Sequence, residues 1–166
     1  PGSGGKGTRA ILDGAGKGEI EVVYLLGVDE IDTARLGNAF VIYQGHHGDR
    51  GAHRADVVLP GAAYTEKDGT YVNTEGRVQE ALRAVFPPGD AREDWAVIRA
   101  LSDVLGKTLP YDSFVQLRKR LAHVNPVFAA VDKITPAAWK AFGAAGSIAS
   151  SAFDYPVKNY YMTDPI

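Results

Sequence analysis

Three short apolar runs constrain this chain more than anything else in it. Residues 20–27 read IEVVYLLG, residues 39–45 read AFVIYQG and residues 55–61 read ADVVLPG. Each is rich in β-branched or aromatic residues and lacks the strict polar alternation of a half-solvated strand. Runs of this kind read as strands buried on both faces, as in parallel sheets. Pro60 stops the third, because proline cannot donate to a ladder. DTARLGN, after the first run, reads as a short helix or turn. The connection between the last two runs is too short for a full crossover helix, so part of it is expected to be irregular. Polar connections between buried strands predict an α/β sheet.

The chain around these runs is punctuated differently at its two ends. PGSGGKGT opens it and places Gly2, Gly4 and Gly7 in GxGxxG spacing. That motif requires a strand before it and a helix after it, and no strand can precede it here. A P-loop is excluded because Gly7 stands where Ser or Thr must follow Lys6. Residues 1–18 therefore read as a flexible glycine-rich terminus or linker. EKDGTYVNTEGRVQEALRAVF carries turn signals at Asp68-Gly69 and Glu75-Gly76, and reads as a hairpin or a pair of bent extended segments. Helices follow. Asp90 and Glu93 have capping-box spacing, Val97, Ile98, Leu101, Val104 and Leu105 share a face, and Gly106 ends the element. DSFVQLRKRLA predicts a second helix with Phe114, Leu117 and Leu121 inward. Its basic cluster Arg118-Lys119-Arg120 suits the helix C-terminus and reads as a solvated end. TPAAWKAFG predicts a third, capped by Thr135 and closed by Gly143. AAGSIASSAF reads as loop. Residues 19–122 thus form the α/β region. Residues 123–166 form a C-terminal helix and aromatic tail packing on it.

Composition narrows the chemistry. The 166 residues suffice for one domain with a core, at 45% apolar and 23% charged. A net charge of −2 with no basic run argues against nucleic acid. No apolar run reaches the ~20 residues needed to span a bilayer, and no stretch reads as a secretory leader. The unfinished look of both ends suggests a segment of something longer. With no cysteine, the chain itself offers no disulfide, thiolate zinc site, cysteine-ligated cluster or thiol nucleophile.

The densest polar stretch is YQGHHGDRGAHRADVVLPG, residues 43–61. His46, His47 and His53 could supply imidazoles, with Asp49 or Asp56 as carboxylates. Their spacing matches no ligand pattern, adjacent His46 and His47 diverge on an extended backbone, and Arg50 and Arg54 oppose a cation. A polar loop with hydrogen-bonded histidines is the better reading, with His46, His47 and Asp49 as its plug. A stand-alone metal-binding domain using the three histidines is the rival. No GxSxG elbow is present, and acid pairs such as Glu66/Asp68 and Glu93/Asp94 read as caps and solvated groups. Trp95, Trp139, Tyr160 and Tyr161 read as core or interface anchors.

Two longer stretches carry a resemblance. FVIYQGHHGDRGAHRADVVLPGAAYTEKDGTYVNTEGRVQ (residues 40–79) and PPGDAREDWAVIRALSDVLGKTLPYD (residues 87–112) resemble the large iron–sulfur subunit family of respiratory complex I. YLLGVDE before them and YYMTDPI after them fit its C-terminal region. More loosely, ADVVLP…E…GT…N.EGR.Q resembles the molybdopterin oxidoreductase superfamily. The resemblance implies a partial Rossmann-like α/β domain with a short parallel sheet, followed by a helical C-terminal part. It implies a non-redox segment of NADH:quinone oxidoreductase with no cofactor of its own. The 2Fe-2S and 4Fe-4S clusters then belong to the subunit's N-terminal region. Partners would be other peripheral-arm subunits, with no nucleic acid and no direct membrane insertion. The place would be the cytoplasmic face of a bacterial inner membrane or the mitochondrial matrix side. An active molybdopterin-dinucleotide oxidoreductase is the alternative. Glu66, Gly69, Thr70, Asn73, Glu75, Gly76 and Arg77 sit on the superfamily pattern. They are expected to hold turns and buried polar contacts, with Gly69 and Gly76 at positive φ and Glu66 paired to Arg77.

Overall fold

The computed structural model describes residues 4–48, 50–134, 136, 138 and 143–153. All three apolar runs form strands: β1 (Val22–Leu26), β2 (Phe40–Gly45) and β3 (Val57–Pro60). They lie in the order β1-β2-β3 and are parallel throughout, with Val22 opposite Phe40 and Ile42 opposite Val57. The mixed α/β class and the short parallel sheet are as expected from sequence.

The glycine-rich start is corrected. Residues Thr8–Gly16 form a helix, α1, that buries Leu12 and Ala15. Glycine density at the very end of the chain masked a periodic apolar stripe. Leu12 and Ala15 join Val23, Leu25, Leu36, Val41 and Tyr43 in one core cluster. DTARLGN contains a 3-10 turn, Thr33–Leu36, whose Asp32 side chain accepts from Ala34 N at 3.2 Å. The irregular connection between β2 and β3 is a short helix, α2 (Arg50–Arg54).

Burial on both strand faces is also corrected. Within the described residues β1 and β2 alternate, with Val23, Leu25, Val41 and Tyr43 inward and Val22, Leu26 and Phe40 exposed. One face carries the packed layer, and the other carries almost none.

The extended segment is a hairpin of β4 (Gly69–Val72) and β5 (Val78–Ala81), antiparallel with Val72 opposite Val78. The first long helix, α3, runs Asp94–Val104. Its N-cap is Glu93, without a side-chain cap bond, so the expected capping box from Asp90 is not formed. Glu93 instead accepts from Trp95 Nε1, next to a Trp95–Tyr111 edge contact at 6.5 Å. Val97, Ile98 and Leu101 are half-buried, but Val104 and Leu105 are exposed where the helix ends. The second, α4 (Phe114–Val124), is capped by Ser113, which accepts from Gln116 N at 3.3 Å. Phe114, Leu117 and Leu121 are half-buried on it. Residues 144–153 are irregular, as expected of a loop. The expected helix at 135–143, with Trp139, and the aromatic tail with Tyr160 and Tyr161 lie outside the described residues.

Candidate functional site

Parallel sheets offer ligands the crevice beyond the carboxyl ends of their strands. Such a cleft is present here. Gly45 ends β2, Pro60 and Gly61 end β3, and together with His46, His47, Glu66 and Asp90 they line a cavity of about 390 Å³.

The loop that forms its rim is held from beneath. Tyr43 is buried, and its hydroxyl lies 2.8 Å from Asp29 Oδ2 and 3.1 Å from the His47 carbonyl. One proton serves two acceptors, and the nearer, charged carboxylate takes the stronger share. The other oxygen of Asp29 accepts from Gly51 N at 2.8 Å, at the start of α2. A side chain on Gly51 has no room: a Cβ there would stand 2.6 Å from the Val28 carbonyl and 2.7 Å from the Tyr43 ring. Arg54 donates to the carbonyls of Gly37 and Ala39 at 2.9 and 3.1 Å, and Asp56 accepts from Val41 N at 2.7 Å. Arg54 and Asp56 therefore fasten the β2–β3 connection to the sheet.

The histidines are not the plug of this loop. His46 and His47 are exposed at the rim, their rings edge to face with centroids 4.6 Å apart. His53 is exposed on α2 and does not line the cleft. The structural work at position 47 is done by its backbone carbonyl. Asp49 lies outside the described residues. Among those described, no group of three His, Asp or Glu side chains is placed to hold a metal ion.

A polar chain under the cleft was not anticipated. Gln44 is fully buried at the end of β2. Its amide carbonyl accepts from the Tyr24 hydroxyl, and its Nε2 donates to Asp94 Oδ1 at 2.8 Å. Asp94 Oδ2 in turn accepts from Lys67. Burial first, and the nearby Asp94 carboxylate second, push the Tyr24 phenol above its ordinary value, keeping it a neutral donor. The sequence did carry one signal: Gln44 is the only polar side chain in an otherwise apolar strand.

The superfamily positions occupy the hairpin and its approach. Glu66 accepts from Ala63 N at 2.9 Å and so closes the 3-10 turn Tyr64–Glu66. It does not pair with Arg77, which instead faces Glu75 at 3.6 Å. Asn73 organises the tight loop, accepting from the amides of Glu75 and Arg77, each at 3.0 Å. Gly76 takes φ +80°, as expected, but Gly69 does not have positive φ. Gly69 is small for another reason: a Cβ would lie 2.4 Å from the Tyr71 ring. Thr70 Oγ1 accepts from Arg118 Nε at 3.2 Å. Arg118 also donates to the Gly69 carbonyl at 3.3 Å and meets Glu80 at 3.2 Å. Arg118 is thus a strut between α4 and the hairpin rather than part of a solvated helix end.

A pterin dinucleotide would bring a diphosphate, which needs cations or a fan of backbone amides. The cleft supplies two carboxylates, Glu66 and Asp90, and no Lys or Arg in its lining. The only lysine close by, Lys67, is committed to Asp94. These residues do not fit the group. Among the described residues, no helix is long and apolar enough to cross a membrane.

Comparison with known proteins agrees with the fold. The family model for molybdopterin oxidoreductase matches residues 4–104, and a model for a C-terminal region of NADH-ubiquinone oxidoreductase matches residues 133–166. The mitochondrial NADH-ubiquinone oxidoreductase 78 kDa subunit of Neurospora crassa is 48% identical over 153 residues, 87% of this chain and 21% of that protein. The mitochondrial NADH dehydrogenase [ubiquinone] iron-sulfur protein 1 of Solanum tuberosum is 47% identical, over 87% of this chain and 20% of its own length. The NADH-ubiquinone oxidoreductase 75 kDa subunit of Reclinomonas americana is 47% identical, over 89% and 22%. The chain therefore spans about a fifth of the length of the curated relatives it matches. With one family model covering more than half of its residues on a parallel α/β scaffold, the chain belongs to the molybdopterin oxidoreductase family.

Proposed function

We propose that this chain is a structural, non-redox segment of the large peripheral-arm subunit of an NADH:quinone oxidoreductase, the complex that passes electrons from NADH to quinone and pumps protons. The observation that carries this reading is its 48% identity, across 87% of the chain, to a protein named as such a subunit. In this reading the 2Fe-2S and 4Fe-4S clusters belong to the N-terminal remainder. The histidines, the hairpin residues Glu66, Gly69, Thr70, Asn73, Glu75, Gly76 and Arg77, and the cleft serve as scaffold. The partners are other peripheral-arm subunits. The segment lies on the matrix side of the mitochondrial membrane, or the cytoplasmic face of a bacterial one, without entering it. Residues 19–122 are its α/β part, and residues 123–166 a tail that packs on that part. The carboxylate lining of the cleft supports the absence of a pterin site.

The test is to tag the natural full-length chain and purify it gently from its host. It is expected to bring down NADH dehydrogenase activity and iron, with no stoichiometric molybdenum. Molybdenum at one atom per chain, without NADH dehydrogenase, would establish an active molybdopterin enzyme instead.

A further inference from the structure

The sheet has one finished face and one unfinished face. Val22, Tyr24 and Leu26 of β1, Phe40 and Ile42 of β2 and Val57 of β3 share the second face through the observed register. Val22, Leu26, Phe40 and Val57 on it are 58%, 45%, 46% and 40% exposed. Each of these strands is nonetheless apolar on both sides. Parallel sheets of such composition are covered on both faces, usually by helices.

Topology says what can do the covering. The strands advance in one direction, β1 to β2 to β3. Right-handed crossovers between strands that advance one way all fall on one side of the sheet. That is observed: Leu36 from the first connection, with Ala52 and Ala55 from the second, packs on the finished face. No connection between these three strands can reach the other side. Of the later elements, α3 reaches it only at its first turn, where Asp94 holds Gln44 at the carboxyl end. A cover must therefore come from chain outside these connections, and relatives are about five times longer than this chain.

We infer that this face is the seat of an apolar helical layer supplied by the same polypeptide outside residues 1–166. The inference rests on the reading above only in taking the chain as a portion of a longer one. Its occupant is a helix stripe without charges at its centre, since Val22, Phe40 and Ile42 offer no polar partner there. The Tyr24–Gln44 pair marks the one polar edge of the seat.

Hydroxyl-radical footprinting of the wild-type full-length chain tests this without any substitution. Tyr24 and Phe40 are expected to be oxidised on the order of tenfold more slowly in the isolated native chain than in denaturant, as for close-packed side chains. Phe40 oxidised as fast in the native chain as in denaturant would overturn the inference. So would protection that appears only when other subunits are added, which would make a partner the cover. Protection that rises with chain concentration would assign the face to a second copy and also overturn it. If the chain purifies without NADH dehydrogenase but Phe40 is protected when isolated, the functional reading falls and this inference stands.

Discussion

Gly51 is the residue with the least freedom to change. Its missing side chain lets the Val28 carbonyl, the Tyr43 ring and Asp29 meet over the start of α2. Gly51→Ala forces a shift among backbone atoms, so it is expected to cost about 1–3 kcal/mol, the range for overpacking. Urea unfolding of the full-length chain measures it, and an unchanged midpoint would refute the tight fit. His47 makes the useful contrast. Only its carbonyl is bonded to Tyr43, and any residue supplies a carbonyl. His47→Ala is therefore expected to stay within about 0.5 kcal/mol, as for surface substitutions. A larger loss in the same assay would mean that the imidazole matters. Neither outcome was legible in the sequence. Asp29 and Tyr43 are 14 positions apart and lie on different elements, so no local pattern pairs them. A cluster of histidines draws the eye to side chains when the backbone is the partner.

At the level of elements, Arg118 shows what charge patterning cannot say. In sequence it belongs to a basic triplet, yet it reaches three separate acceptors on the hairpin and stacks over Phe114 at 4.5 Å. Lysine keeps the charge but not the planar fork. Arg118→Lys is expected to lose about 1 kcal/mol, the size of one or two net hydrogen bonds. Faster hydrogen exchange confined to β4 and β5 would locate the effect; exchange unchanged in the hairpin would sink it. The turn after α3 has a similar fastening with a pH dependence. Hydrogen bonds from Thr108 and Arg99 hold Asp103 below the usual carboxylate range. A carboxylate lowered in the folded state stabilises it above the ordinary carboxylate pKa, and that contribution disappears as pH falls through the lowered value. Asp103→Asn is therefore expected to flatten the acid limb of the stability curve and leave the alkaline limb alone. A parallel drop at all pH values would disprove it. The sequence showed where α3 and α4 run, because their apolar spacing is local. It did not show that α1 exists, since four glycines precede its stripe, nor that Glu93 rather than Asp90 would cap α3.

Across the whole molecule, the sheet was the most legible feature and its surroundings the least. β-branched runs declare strands whatever lies around them. Whether both faces are covered depends on chain that is distant or absent, and the runs could state only that both are built for burial. The cleft was legible as a family position but not in its charge. Glu66 and Asp90 converge from segments 24 positions apart, and only the fold places both at the mouth of β2 and β3. The buried Gln44 was visible as an oddity, while its partners Tyr24, Asp94 and, beyond Asp94, Lys67 were not.

That chain from Tyr24 through Gln44 and Asp94 to Lys67 also has a place in time. Its links span 20, 50 and 27 residues, so the middle one closes the longest loop of the three. Contacts of high separation cost loop entropy before they return any stability, and they tend to form after local ones. The parallel strand pairs are much nearer neighbours and can assemble without α3. Asp94→Asn, which keeps the shape but removes the charge that Lys67 meets, is then expected to raise the unfolding rate severalfold and leave refolding nearly unchanged. Stopped-flow kinetics on the full-length chain would show this as a shift of the unfolding limb alone, and equal shifts of both limbs would place the contact in the transition state instead. Gln44 would then act as a late clasp, setting how long the native sheet and α3 stay together rather than how quickly they meet.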